Sequence, residues 1–175
     1  MKPHKILALM TFLLLSGSIF AQSGKEYMIK EWERAKAYTK EYLEVMPENG
    51  YALKPTPEMR SFAQQMLHLS DANYGLGNAA GGVKIPDGIK DLEKSTDLSK
   101  ANVTKLTLAS YDFVIDAIKS LSDAQLNETV KLFGQFEMTK AQAFAKVFEH
   151  QTHHRGQTTV YIRLAGAKPP QEKLF

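Results

Sequence analysis

Four stretches of this chain space their apolar residues three and four apart. That period commits most of the sequence to helices that must each bury one face. The first runs from about Tyr27 to Met46, with Met28, Trp32, Ala35, Thr39, Tyr42 and Val45 on one stripe. Ser23 followed by Glu26 is a capping-box pattern at its start, and Pro47 and Gly50 end it. Thr56-Pro57 reads as the N-cap and first-turn proline of the second stretch. It extends to about Asn78, with Phe62, Met66, Leu69, Asn73 and Leu76 inward and His68 at the edge of that face. The third covers about Asn102 to Leu121, on Val103, Leu106, Ser110, Phe113, Ala117 and Leu121. The fourth opens at Thr139, where Gln142 completes another capping box, and ends near Gly166, ahead of Pro169 and Pro170.

The connections narrow the arrangement. Gly77 to Ala101 is long and glycine-bearing. A helix of about 20 residues is about 30 Å long, and a linker of this size can travel back along it. Helices two and three can therefore lie parallel, which a short loop forbids. Between Thr129 and Met138, the pairs Val130/Leu132 and Phe136/Met138 alternate around Gly134, the pattern of a small hairpin. No internal repeat interrupts this order. With 175 residues, 43% of them apolar, the chain suits one globular domain.

The first residues belong to a different argument. Lys2 and Lys5 precede the apolar run Ile6–Leu15, then small residues Ser16, Gly17 and Ser18, with Ala21 placed for cleavage. This is the pattern of a secretory signal peptide over residues 1–21, and the run is short for a membrane span, which needs about 20 residues. The expected mature domain is 22–175, exported to the periplasm or the extracellular space, with no stable membrane span. Losing Lys2 and Lys5 takes the formal charge from +3 to +1. Neither value fits a nucleic-acid binder with a dense basic face. There is no cysteine, which excludes disulfides, zinc–thiolate sites and thiol nucleophiles.

Apart from His4, the histidines are His68, His150, His153 and His154. Residues four apart on a helix stand one above the other, so His150 and His154 converge, while His153 is turned about 100° from His154 onto the flank. His150 and His154 also belong to the seam Val147, His150, His154, Gln157, Tyr161, Leu164, the face expected to point inward. Buried imidazoles need partners. A shared metal ion would partner both, and His68 is the one histidine on a second helix. The same spacing also fits hydrogen-bonded core histidines that bind no ion.

The run His150-Gln151-Thr152-His153-His154-Arg155-Gly156-Gln157, then Tyr161-Ile162-Arg163-Leu164-Ala165-Gly166 and Pro169-Pro170, resembles the DinB-like superfamily. Met66-Leu67-His68-Leu69 and Thr56-Pro57-Glu58-Met59-Arg60 fit the second helix of that family. The resemblance implies an all-α fold: a four-helix bundle of up-down-down-up order with a long crossover between helices two and three. It implies a divalent metal site of His68, His150 and His154 with open coordination positions, and frequently a homodimer. Relatives include thiol-dependent transferases and isomerases.

Histidine-rich sites accept several metals, with zinc expected first and nickel second. Asp71, Tyr74, Tyr111 and Gln157 are candidates for the surrounding pocket. Arg155 is a candidate for orienting an anion, and Trp32 is most simply core. The leading expectation is a metal-dependent hydrolase or thiol-type transferase acting on a small molecule. The export signal sits poorly with the cytosolic thiols of the relatives. The alternative is a non-catalytic metal-binding module of the cell envelope, which would need closed coordination and no pocket beside the ion. A third reading is a purely structural bundle.

Overall fold

The computed structural model describes residues 23–175, so the expected signal peptide lies outside the described residues. The fold is mostly helical, with one small two-stranded sheet. Helix α1 is Ser23–Val45, α2 Phe62–Gly81 and α3 Lys100–Ser120. A single turn α4, Asp123–Leu126, leads into β1, Thr129–Leu132, and β2, Phe136–Thr139. The long helix α5, Lys140–Leu164, closes the order. Among the described residues, no helix is long and apolar enough to cross a membrane.

Local chemistry explains the boundaries, and at α2 it overrules the sequence expectation. Thr56-Pro57 does not start the helix. The Met59 amide donates to the Thr56 carbonyl at 3.1 Å, so these residues form a turn with proline at its favoured second position. The helix starts after Ser61, whose hydroxyl accepts from the Gln64 amide while the Gln64 side chain accepts from the Ser61 amide. That reciprocal pair satisfies two amide donors that a helix start otherwise leaves open. At the other end Gly82 takes a left-handed conformation (φ 72°) and donates to Asn78. Ser99 caps α3, and Thr139 with Gln142 forms the expected box at α5.

The hairpin forms where the alternation placed it, with Val130 opposite Met138 and Leu132 opposite Phe136. Its turn puts both Phe133 (φ 51°) and Gly134 (φ 70°) in the left-handed region, the pattern that matches strand twist in tight hairpins.

Helix α2 is the centre of the packing, against α3 on one side and α5 on the other, and α1 packs on α3 and α5. Ser70 meets Thr107, and Asn73 meets Ser110, so contacts advance together along α2 and α3. Two glycines permit the close approach. A Cβ on Gly77 would lie 3.2 Å from Val114 Cγ2, and one on Gly81 would lie 3.1 Å from Phe144 Cζ and 3.3 Å from the Ala117 Cβ.

One apolar cluster gathers Trp32, Tyr111, Val114, Phe144 and Val147 with the hairpin's Leu132. Another gathers Tyr42, Leu43, Met66, Val103 and Tyr161. Trp32 is core, as expected, but Val45 is exposed and Met46 is fully buried beside it. The inward face of α5 is also rotated from the expected seam. Gln151, Arg155, Thr158 and Ile162 are buried, whereas Gln157 and Leu164 are exposed.

Alanine is a better helix former than glycine, yet Gly81→Ala is expected to lower stability by about 1 kcal/mol or more, because the added methyl meets the Ala117 methyl and the Phe144 ring. Gly75→Ala, whose Cβ would meet nothing within 4 Å, is expected to raise stability by up to about 1 kcal/mol. Urea unfolding of the two variants checks the contrast.

Candidate metal centre

Helix α5 supplies two imidazoles one turn apart, and α2 brings the third against them. The His150 and His154 ring centroids lie 4.3 Å apart, and His68 lies 4.5 Å from His154 and 5.3 Å from His150. One nitrogen from each ring lies within 4.8 Å of the others. The site is half-buried: His68 and His150 are intermediate in exposure, and His154 is 9% exposed.

Each imidazole is prepared differently. The His68 Nδ1 lies 2.9 Å from the Glu93 carboxylate. An ionised carboxylate only accepts, so Nδ1 carries a proton, and in the neutral ring Nε2 is the acceptor. Glu93 also accepts from Arg60 Nε at 2.7 Å. Burial pushes the Glu93 carboxyl up, but the hydrogen bonds from Arg60 and His68 outweigh it and hold the group below the usual carboxylate range. His150 and His154 have no such support, and the Nδ1 atom of each is buried without a hydrogen-bond partner. Burial first, then the neighbouring imidazoles, push both rings down, His154 to about 4. Both are neutral at pH 7, which is the form that ligates a cation.

Three imidazoles, two of them with a buried unpartnered nitrogen, are a donor set suited to a divalent ion, and the carboxylate behind His68 is the support that ligating histidines usually have. The residues present could hold a metal.

The site draws on the long connection. Asp71, one turn beyond His68, accepts the backbone amides of Leu92 (2.8 Å) and Glu93 (2.9 Å). It thereby fixes the 3₁₀ turn Leu92–Lys94 that presents Glu93. Asp71 is thus a positioning residue, two links behind His68. Glu93 was missed from sequence, since a lone acid in a loop carries no period or motif.

The other candidates lie elsewhere. Tyr111 is fully buried, with its hydroxyl on Thr39 (2.7 Å) and Gln151 (2.8 Å). Burial pushes its phenol up to about 12, so it is no acid–base group at neutral pH. Tyr74 packs on Phe113 in the core. Gln157 is exposed and bonds the flanking His153 at 2.9 Å and Gln65. Arg155 is no surface arginine: it is 6% exposed, donates to Gln151 Oε1 at 3.1 Å and stacks 4.6 Å from the Tyr38 ring. His153 is exposed on the flank, as its rotation required.

A cavity of about 540 Å³ opens beside the triad, with His68, Asp71 and His150 in its wall.

The sequence profile of the DinB superfamily matches residues 31–158, which include all three histidines. The chain belongs to the DinB superfamily. Solved structures agree on the fold of this DinB-superfamily chain. A DinB-like protein from Bacillus cereus ATCC 10987 superposes with a TM-score of 0.74 at 19% identity, covering 85% of this chain and 97% of that one. A DinB-like protein from Bacillus subtilis gives 0.63 at 18% identity, over 85% and 96%. A conserved protein from Enterococcus faecalis gives 0.63 at 16% identity, over 80% and 95%. A search of curated proteins finds no match.

The depressed histidines make a prediction for the metal-free protein. Their folded pKa values lie below the unfolded value of about 6.5, so the unfolded chain binds protons first. Their contribution to stability is present above about pH 6.5 and is lost as pH falls towards 4. Chemical unfolding across that window is expected to show a flatter pH dependence in His154→Gln than in the parent chain.

Proposed function

We propose that this DinB-superfamily protein is an exported, metal-dependent enzyme of the hydrolase or thiol-type transferase class, acting on a small molecule. Its ion is held by His68, His150 and His154, with zinc the first choice and nickel the second. The observation that carries the reading is the pair of buried, unpartnered nitrogens on His150 and His154 beside a His68 already oriented by Glu93. A buried polar atom without a partner is costly, and the three rings each bring one nitrogen within 4.8 Å of the others, close enough to share a cation.

The cavity beside the triad favours a site that receives a ligand. A closed, non-catalytic metal module would have no use for about 540 Å³ next to its ion. When bound, the ion would supply Lewis-acid chemistry to a water or thiol. The chain's own residues set its frame: Glu93 keeps His68 in one tautomer, Arg60 keeps Glu93 ionised, and Asp71 holds the backbone that carries Glu93.

The bundle order we assign is up-down-down-up, supported by the same-direction contacts of α2 with α3 and the opposed pairs Tyr161–Arg60 and Gln65–Gln157. Export rests on the pattern in residues 1–21. A homodimer is part of the proposal on the family resemblance, and a monomer mass in light scattering would overturn it.

Metal analysis of untagged protein tests the centre. The parent chain is expected to retain about one equivalent of zinc or nickel, and His150→Ala to lose it. Glu93→Gln is expected to weaken affinity about 10- to 100-fold, measured by competition with a chromophoric chelator. Equal metal content in all three proteins would remove the basis of the reading.

A further inference from the structure

Helix α2 has an unusual solvent side. In twenty residues it carries a single formal charge, Asp71. A surface helix normally turns long polar side chains outward. Here the outward stripe beyond Asp71 is Ala72, Gly75, Leu76 and Ala79, all partly or fully exposed. Gly75 is the anomaly within it. Mid-helix glycine costs up to about 1 kcal/mol against alanine, and close packing does not explain it, because a Cβ there would meet nothing within 4 Å. Gly77 and Gly81, by contrast, sit against α3 and α5 side chains.

The hairpin supplies the facing wall. Phe133 is 74% exposed at the turn and held with positive φ, which a bulky residue seldom adopts. It lines the same cavity as the α2 stripe, with the buried Leu132 beside it. The result is a trough of small and apolar residues that runs from the triad towards Ala79, about 16 Å of helix from His68. One end is imidazole and carboxylate, and the rest offers no charge.

We infer that this trough is the tail-binding half of the site, and that the triad's substrate is a small amphiphile. Its metal-liganding head sits at His68, His150 and His154, and its alkyl or aryl tail lies along Ala72, Gly75 and Ala79 beneath Phe133. The inference rests on the metal reading for the head and on the trough alone for the tail. Continuity between the two, within one cavity, selects a single molecule with both parts.

Acetohydroxamate and octanohydroxamate share a metal-binding head and differ by six methylenes. A trough open on one side is expected to give roughly half the transfer free energy per methylene, or about twofold each. Calorimetry on zinc-loaded protein should therefore show octanohydroxamate binding about sixtyfold more tightly. Gly75→Leu places a side chain in the open space, and it should bring that ratio close to one. Phe133→Ser, at an exposed turn position, should lower the ratio part of the way. In zinc-free protein, octanohydroxamate should still bind the parent chain more tightly than it binds Gly75→Leu.

A ratio near one in the parent chain, or a ratio that survives Gly75→Leu, overturns the inference. A chain that takes up no zinc overturns the metal reading and the assignment of the head. The comparison in zinc-free protein then decides the tail half by itself.

Discussion

The packing of α2 against α5 is the contact on which the rest depends. It places a residue from the first half of the chain within 4.5 Å of a ring from the second half, and it does so at mid-height, where both helices turn polar. On α5, the buried Ala143, Phe144 and Val147 give way to Gln151, His154, Arg155 and Thr158 before Tyr161 and Ile162 resume the apolar face. On α2, Ser70 and Asn73 break the stripe in the same way. Such a layer is stable only where its groups find partners. Most do: Thr39, Tyr111, Gln151 and Arg155 form one chain of hydrogen bonds through the core. The Nδ1 atoms of His150 and His154 do not, nor does the Asn73 Oδ1.

The crossover between α2 and α3 has two roles. Its length lets two consecutive helices pack with their contacts advancing in one direction. Its middle folds back so that the Leu92–Lys94 turn sits over α2, where Asp71 takes two of its amides. The relay from Asp71 through that turn to Glu93, and from Glu93 to His68, links a helix-borne acid to the triad through hydrogen bonds. It also fixes the ring that α2 contributes, while the two rings on α5 are aligned by the helix itself.

How much was legible in the sequence varies with the kind of signal. Periodicity located all four long helices, and the alternation around Gly134 located the hairpin. The boundary of α2 was misplaced because Thr56-Pro57 and Ser61-x-x-Gln64 are both starting signals. The second satisfies two backbone donors reciprocally, while the proline is equally content in a turn. Gln157, drawn on the inward seam, is exposed, and Arg155, off that seam, is buried for one reason: a seam drawn through His150, His154 and Gln157 is rotated from the true buried face by a fraction of a turn. Periodicity fixes that a face exists more firmly than it fixes the face's centre.

Spacing alone determined that His150 and His154 share a face, because one helical turn carries i onto i+4 whatever surrounds it. Composition alone excluded cysteine ligands and a cysteine nucleophile. The tertiary structure decided that His68 meets that pair, that Glu93 stands behind it, and that Ala72, Gly75 and Ala79 border the site. Each of these depends on how separate segments are packed and rotated about their axes. That is set by side-chain interdigitation between helices and by where a loop finds hydrogen bonds, and neither is written in the period of any one segment.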